Sequence, residues 1–180
     1  MTTWVLLAGL PGAGKSTLAR ALSARLNGVV LDKDRVREAL FPGPATDYTR
    51  EQDDLCVRAI LEAAAYLTER QRATFIFIDG RTFSKRDQIN EGIGEAERAG
   101  AQWRILHVTC ADAVAEARLG RKDPQNPARN RDVALYRRVK ASFEPIAYPK
   151  LDVDTTKSVD GVVDNVIEWL QHEDNGEAYP

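Results

Sequence analysis

The sequence has no apolar run long enough to cross a bilayer. Its opening, Met1-Thr2-Thr3-Trp4, leads into a short apolar stretch that stops at Gly9, too short for a secretory leader and without the charged start one needs. Cysteine is scarce. Cys56 and Cys110 are the only two in 180 residues, which excludes a disulfide scaffold and predicts reduced thiols in a cytoplasmic chain. An excess of one charge is also missing: 25 Lys and Arg face 27 Asp and Glu, a net charge of −2. A broad basic face for duplex DNA is therefore not expected, although a local basic groove stays open. There is no internal repeat and no linker between two units. His107 sits in an apolar strand pattern and His172 near a polar tail, so neither forms a metal cluster with the cysteines.

What is present is one domain's worth of core, with 43% apolar residues. The expected boundaries are residues 1–172 for the domain and 173–180 for a polar C-terminal tail. Trp4 to Ala8 reads as a strand buried on both faces. Leu18, Leu22 and Leu26 then repeat at helical spacing. Val29 to Leu31 gives a second strand, and a short helix follows to Leu40. Pro42-Gly43-Pro44 breaks it, and Cys56, Ile60, Ala64 and Leu67 mark a long helix ending near Gln71. Thr74 to Ile78 is the third strand. Ser84 is expected to cap a helix carrying Ile89 and Ile93, which Gly100 closes. Trp103 to Val108 is the fourth strand, with a short helix through Leu119. Residues 120–131 carry two prolines and three arginines and read as a loop. A helix from Asp132 to about Phe143, a fifth strand at Leu151 to Val153 and a closing helix through Leu170 complete the pattern. Alternating strands and helices imply an α/β fold, a doubly wound parallel five-stranded sheet with helices on both faces, with ligands beyond the C-terminal strand ends.

The strongest chemical signal lies after the first strand. Gly9-Leu10-Pro11-Gly12-Ala13-Gly14-Lys15-Ser16 matches the phosphate-binding pattern G-x-x-x-x-G-K-[ST] between a strand and a helix. Its glycines let the backbone wrap closely round phosphates, and the helix N-terminus adds donors and positive potential. Gly12, Ala13, Gly14, Lys15, Ser16 and Thr17 are thus the expected ATP contacts, with Lys15 on the β and γ phosphates and Ser16 on Mg²⁺. An ordinary glycine-rich turn would explain neither the Lys-Ser pair nor its register with the helix start.

Asp34 and Arg37 follow the second strand, where a carboxylate can orient an acceptor hydroxyl and take its proton while an arginine holds nearby phosphate charge. The plainer alternative is that Asp32 or Asp34 caps the next helix. Asp79, at the end of the third strand, is a candidate for Mg²⁺ or its water shell, or simply a turn cap. Arg81 and Arg86 could meet the acceptor. The arginine-rich segment 120–131 is expected to be a lid that closes on bound ATP, with Arg121 and Arg129 the preferred phosphate contacts, or else a solvated charged loop.

The loop Gly9 to Ser16 together with the Asp34-x-x-Arg37 element resembles the polynucleotide kinase-like P-loop kinases, which include phage and bacterial 5′-hydroxyl polynucleotide kinases. Zeta-toxin-like and chloramphenicol phosphotransferase-like kinases share the architecture. The resemblance implies a P-loop kinase fold, ATP and Mg²⁺ as cofactors, a general base at Asp34 and an acceptor-phosphate arginine at Arg37. It also implies lid arginines among Arg118, Arg121, Arg129 and Arg131. By fold analogy Thr155 to Ser158 would contact adenine, although a turn and helix cap at Ser158 is the simpler role. Acceptors compatible with this reading are a single-stranded nucleic-acid end, on whose first base Tyr48, Phe83 or Tyr136 could stack, and a small alcohol such as a sugar, an antibiotic or a nucleotide sugar. A non-kinase ATPase switch needs less of this machinery. The aromatics Trp4, Trp103 and Trp169 are expected in packing roles.

Overall fold

The computed structural model describes residues 1–121 and 131–172. Five strands, β1 (Thr3–Ala8), β2 (Gly28–Asp32), β3 (Phe75–Asp79), β4 (Gln102–Thr109) and β5 (Leu151–Asp154), form one parallel sheet in the order β2-β3-β1-β4-β5. Between and after them run α1 (Lys15–Arg25), α2 (Lys33–Leu40), α3 (Arg50–Glu69), α4 (Arg86–Arg98), α5 (Asp112–Leu119), α6 (Val133–Ala141) and α7 (Asp160–Gln171), with one turn of 3₁₀ helix at Gly43–Ala45. Most of the expected lid and the polar tail lie outside the described residues. No helix among those described is long and apolar enough to cross a membrane.

The period of two in a strand explains why β1 shows no polar alternation. Trp4, Leu6 and Ala8 enter one core with α3 and α4, through Val57, Ile60, Ala64, Ile89 and Ile93. Val5 and Leu7 enter the other with α1 and α7, through Leu18, Leu22, Val163, Val166 and Leu170. All six β1 residues are buried. The Trp4 indole N–H, which would be costly to bury alone, donates to Thr68 Oγ1 at 2.9 Å, and that hydroxyl donates to Ala64 O at 2.8 Å.

One helix start that the apolar pattern left open is fixed, and one expected cap is corrected. Helix α3 begins at Arg50, well before the apolar stripe that marks it, because the Thr49 hydroxyl accepts from Gln52 N–H and caps the end. Ser84 does not cap α4. Its backbone N–H donates to Gln88 Oε1, and the first turn is met from outside by Glu144, whose carboxylate accepts from Arg86 N–H at 2.9 Å and from Lys85 Nζ at 3.1 Å. A carboxylate at a helix N-terminus satisfies an orphan donor and complements the dipole, which a hydroxyl does less well.

Candidate active site

The C-terminal strand ends present one cluster, beginning with the loop between β1 and α1. Gly9 has φ 141°, and a Cβ there would lie 2.1 Å from Val108 O of β4. Gly14, with φ 92°, is the N-cap of α1. Only glycine takes these positions without strain. Gly9→Ala is expected to cost about 3 kcal/mol or more, since backbone rather than a pliable side chain stands in the way. A denaturant midpoint unchanged from wild type would contradict that packing.

Lys15 is 7% exposed. Its ammonium donates to Gly9 O at 2.7 Å and Leu10 O at 2.9 Å. Burial first, then the charge of Arg131, pushes its pKa down to about 7, against the opposing pull of Asp79 and Asp34. Ser16 is half-buried and Thr17 exposed. Arg118 reaches across from α5. One guanidinium nitrogen donates to Gly12 O at 3.2 Å and Thr155 Oγ1 at 3.1 Å, and the other donates to Thr155 O at 2.8 Å. Thr155 is fully buried, and its hydroxyl contacts Ala13 O at 2.7 Å and Thr109 O at 3.2 Å. Arg118 and Thr155 thus strap the phosphate loop to the ends of β4 and β5. The half-buried Thr156 and exposed Lys157 follow beside it, and Ser158 Oγ accepts from Asp160 N–H in the first turn of α7.

Asp34 lies in the first turn of α2, whose cap is supplied by Asp32 accepting from Asp34 N–H at 2.9 Å. Asp34 is 4% exposed and faces three cations: Arg37 Nη1 at 2.9 Å, Arg131 Nη2 at 2.5 Å and Lys33 Nζ at 3.5 Å. Burial pushes its carboxyl up, and Lys33, Arg131 and Arg37 together outweigh burial and hold it below the ordinary carboxylate range. Asp34 is therefore a fixed anion. Arg37, only 3% exposed, is also ion-paired to Asp53 and lies 5.2 Å from the Tyr48 ring. Asp53 in turn accepts from Lys33 Nζ at 3.0 Å. The sequence pattern gave no role to Lys33 or Asp53, and it offered Thr155 as an adenine contact, not as a strap on the loop. Asp53 reads as an exposed first-turn carboxylate of α3, and its only signal is its position one turn after the Thr49 cap.

Asp79 ends β3 opposite Asp32 of β2. It is 1% exposed, and neither carboxylate oxygen has a hydrogen-bond partner among the described residues. Such an orphaned anion near Lys15 fits a site for Mg²⁺, which is commonly held by one or two protein oxygens together with substrate phosphates. No cage of three or more His, Cys, Asp or Glu occurs among the described residues; Asp79 and the half-buried Ser16 are the oxygen donors that the phosphate-loop pattern offers such an ion. Of the remaining candidates, Arg121 is exposed and Arg129 lies outside the described residues. Arg81 is paired with Glu91 at 2.8 Å and Asp54 at 3.3 Å, and Arg86 is exposed. Phe83 and Tyr136 are each 2% exposed, and the Tyr136 hydroxyl donates to Asp112. Of the three aromatics considered for base stacking, Tyr136 lines a pocket with Leu10, Ala13 and Asp112, and Tyr48 lines a more open cleft with Arg50, Asp53, Asp54, Arg81, Lys85, Asp87, Gln88 and Glu144.

No curated protein sequence matches the chain. Among solved structures, a provisionally assigned kinase from Chloroflexus aurantiacus aligns with TM-score 0.71 and 20% identity over 94% of this chain and 96% of its own. APS kinase CysC of Mycobacterium tuberculosis, solved with AMPPNP and APS, aligns with TM-score 0.70 and 18% identity over 95% and 98%. A sugar kinase from a Janibacter species aligns with TM-score 0.65 and 16% identity over 94% and 95%. These likenesses establish a P-loop kinase-type α/β fold. The model of one sequence family, AAA domain, matches residues 5–146, from the first strand past α6, and the chain belongs to that AAA domain family.

Proposed function

We propose that this protein is an ATP-dependent phosphotransferase that moves the γ-phosphate of ATP to a hydroxyl. The observation that carries the reading is Asp34, a buried, ionised carboxylate held by three cations beside the phosphate loop. A family of ATP-binding domains would accommodate hydrolysis equally well. A buried carboxylate fixed near Lys15 suits an alcohol that must be oriented and deprotonated as it attacks.

In this reading the amides of Gly12 to Thr17 and the α1 N-terminus cradle the phosphates. Lys15 exchanges its two carbonyl partners for β- and γ-phosphate oxygens, whose charge favours the ammonium over the neutral amine. Mg²⁺, held by Ser16 and Asp79, would supply charge neutralisation between the phosphates. Arg37 positions Asp34. Arg131 must release one Asp34 oxygen before the acceptor hydroxyl can bond there, and together with Arg121 and Arg129 it then faces the transferring phosphate. Arg118 serves the nucleotide through the loop it braces. The acceptor is a 5′-hydroxyl of a polynucleotide or the hydroxyl of a small molecule; the sugar kinase and APS kinase named above lend the second option precedent in the same fold.

The test is incubation with Mg²⁺ and ATP labelled on its terminal phosphate, offering an oligonucleotide with a free 5′-hydroxyl beside a panel of small alcohols. Label is expected on an acceptor, and that label should disappear in Asp34→Asn. Label recovered only as inorganic phosphate, at a rate that no alcohol changes, would replace the reading with an ATPase.

A further inference from the structure

The cleft walled by Tyr48 and Asp53 has a volume of about 630 Å³, within the range of small-molecule sites. Asp53 lines it and also bonds Lys33 and Arg37, the partners of Asp34, so one layer of ion pairs separates the cleft from the carboxylate proposed to receive the acceptor. Resting on that phosphotransferase reading, we infer that the acceptor is an unphosphorylated polyol of small-molecule size, a sugar, cyclitol or aminated sugar, and not a nucleic-acid end or another phosphate-bearing alcohol.

The charge arrangement carries this choice. The wall holds three cations, Arg50, Arg81 and Lys85, and four carboxylates, Asp53, Asp54, Asp87 and Glu144. The cations are all engaged. Arg81 pairs with Glu91 at 2.8 Å and with Asp54 at 3.3 Å. Lys85 pairs with Glu144 at 3.1 Å, and Arg50 lies 3.7 Å from Asp54 and 3.8 Å from Asp87. Arg37, the cation that joins this wall to Asp34, is buried between Asp34 and Asp53, and Arg131 is paired with Asp34. A phosphate entering here would meet an excess of anions and would have to break a standing pair to gain a cation. A single strand needs the reverse, a positive groove several nucleotides long with aromatic platforms; this wall offers one aromatic, Tyr48. Hydroxyl groups both donate and accept. They can bridge carboxylates and guanidinium groups without displacing either, and an ammonium on the acceptor adds a charge-assisted bond to Asp54 or Asp87.

The inference is tested by binding, which requires no turnover. In the presence of Mg²⁺ and a non-hydrolysable ATP analogue, thermal shift and calorimetry would be run on unphosphorylated sugars, cyclitols and aminoglycosides. The phosphorylated counterparts of these compounds and a single-stranded oligonucleotide with a free 5′-hydroxyl complete the set. At least one unphosphorylated polyol is expected to bind, its affinity falling about tenfold or more in the exposed-side-chain variant Asp54→Asn/Asp87→Asn, with affinity for the ATP analogue unchanged. Binding confined to phosphorylated compounds or the oligonucleotide, no polyol binding at all, or polyol binding that the double substitution leaves intact would each overturn the inference. A polyol bound at this cleft by a protein that does not bind the ATP analogue would instead remove the phosphotransferase reading and leave the cleft's chemistry standing.

Discussion

Lys15→Ala is expected to fold and to transfer phosphate at least two to three orders of magnitude more slowly than wild type. One preorganised donor aimed at developing charge supplies about 3–4 kcal/mol in comparable sites, and Lys15 is the cation built into the loop itself. Its removal is tolerable for the fold because the buried ammonium is already penalised, with its pKa pushed down to about 7, and makes two bonds to carbonyls of its own loop. Single-turnover kinetics with labelled ATP, beside a thermal midpoint, separates the two effects. Wild-type turnover in this variant would remove the phosphate-loop assignment, and loss of the folded state would show that Lys15 is a structural cation.

The second large effect concerns Asp34→Asn. Turnover is expected to fall by about two to four orders of magnitude, the usual contribution of a positioned base, with ATP affinity nearly unchanged. An equal loss of ATP affinity would place Asp34 on the nucleotide side instead. The same substitution carries a stability signature, because Lys33 and Arg37 stay buried with one anion fewer, a cost on the order of 3 kcal/mol at neutral pH. Asp34 has a depressed pKa, so its contribution is present above the ordinary carboxylate value of about 3.9 and is lost as pH falls through the depressed one. The stability difference between wild type and Asp34→Asn should therefore hold from neutral pH to about pH 4 and close on further acidification. A difference that stays constant to lower pH would mean that the amide in the variant is destabilising through its shape and not through the missing charge.

The elements and the phosphate loop were legible because their signals are local. Eight consecutive residues carry the loop, and the period-two burial of β1 or the four-residue stripe of α1 needs no distant partner. What the sequence could not show depends on contacts across the fold. Asp34 and Arg37 are three positions apart and visible as a pair, whereas Asp53 and Arg131, which complete their surroundings, come from α3 and from the segment before α6. Nothing in a sequence pattern brings them to one carboxylate. Glu144 replaces Ser84 at the start of α4 for the same reason, since a cap from 58 residues away leaves no local trace. The start of α3 was different: the Thr49 and Gln52 spacing was available as a capping signal, but the polar first turns of the helix concealed it from a reading based on apolar periodicity.

The fastening of the phosphate loop bears on how binding entropy is distributed. Thr155 reaches both Ala13 and Thr109, and Arg118 reaches both Gly12 and Thr155, so the backbone that receives the phosphates is tied to the sheet before any nucleotide arrives. Little conformational freedom is left in it to lose on binding. The ordering cost falls on the groups that must change partners, Lys15 leaving its own loop and Arg131 leaving Asp34. Nucleotide affinity should therefore respond more to the straps at Arg118 and Thr155, which touch no reacting atom, than to the exposed arginines nearer the phosphate.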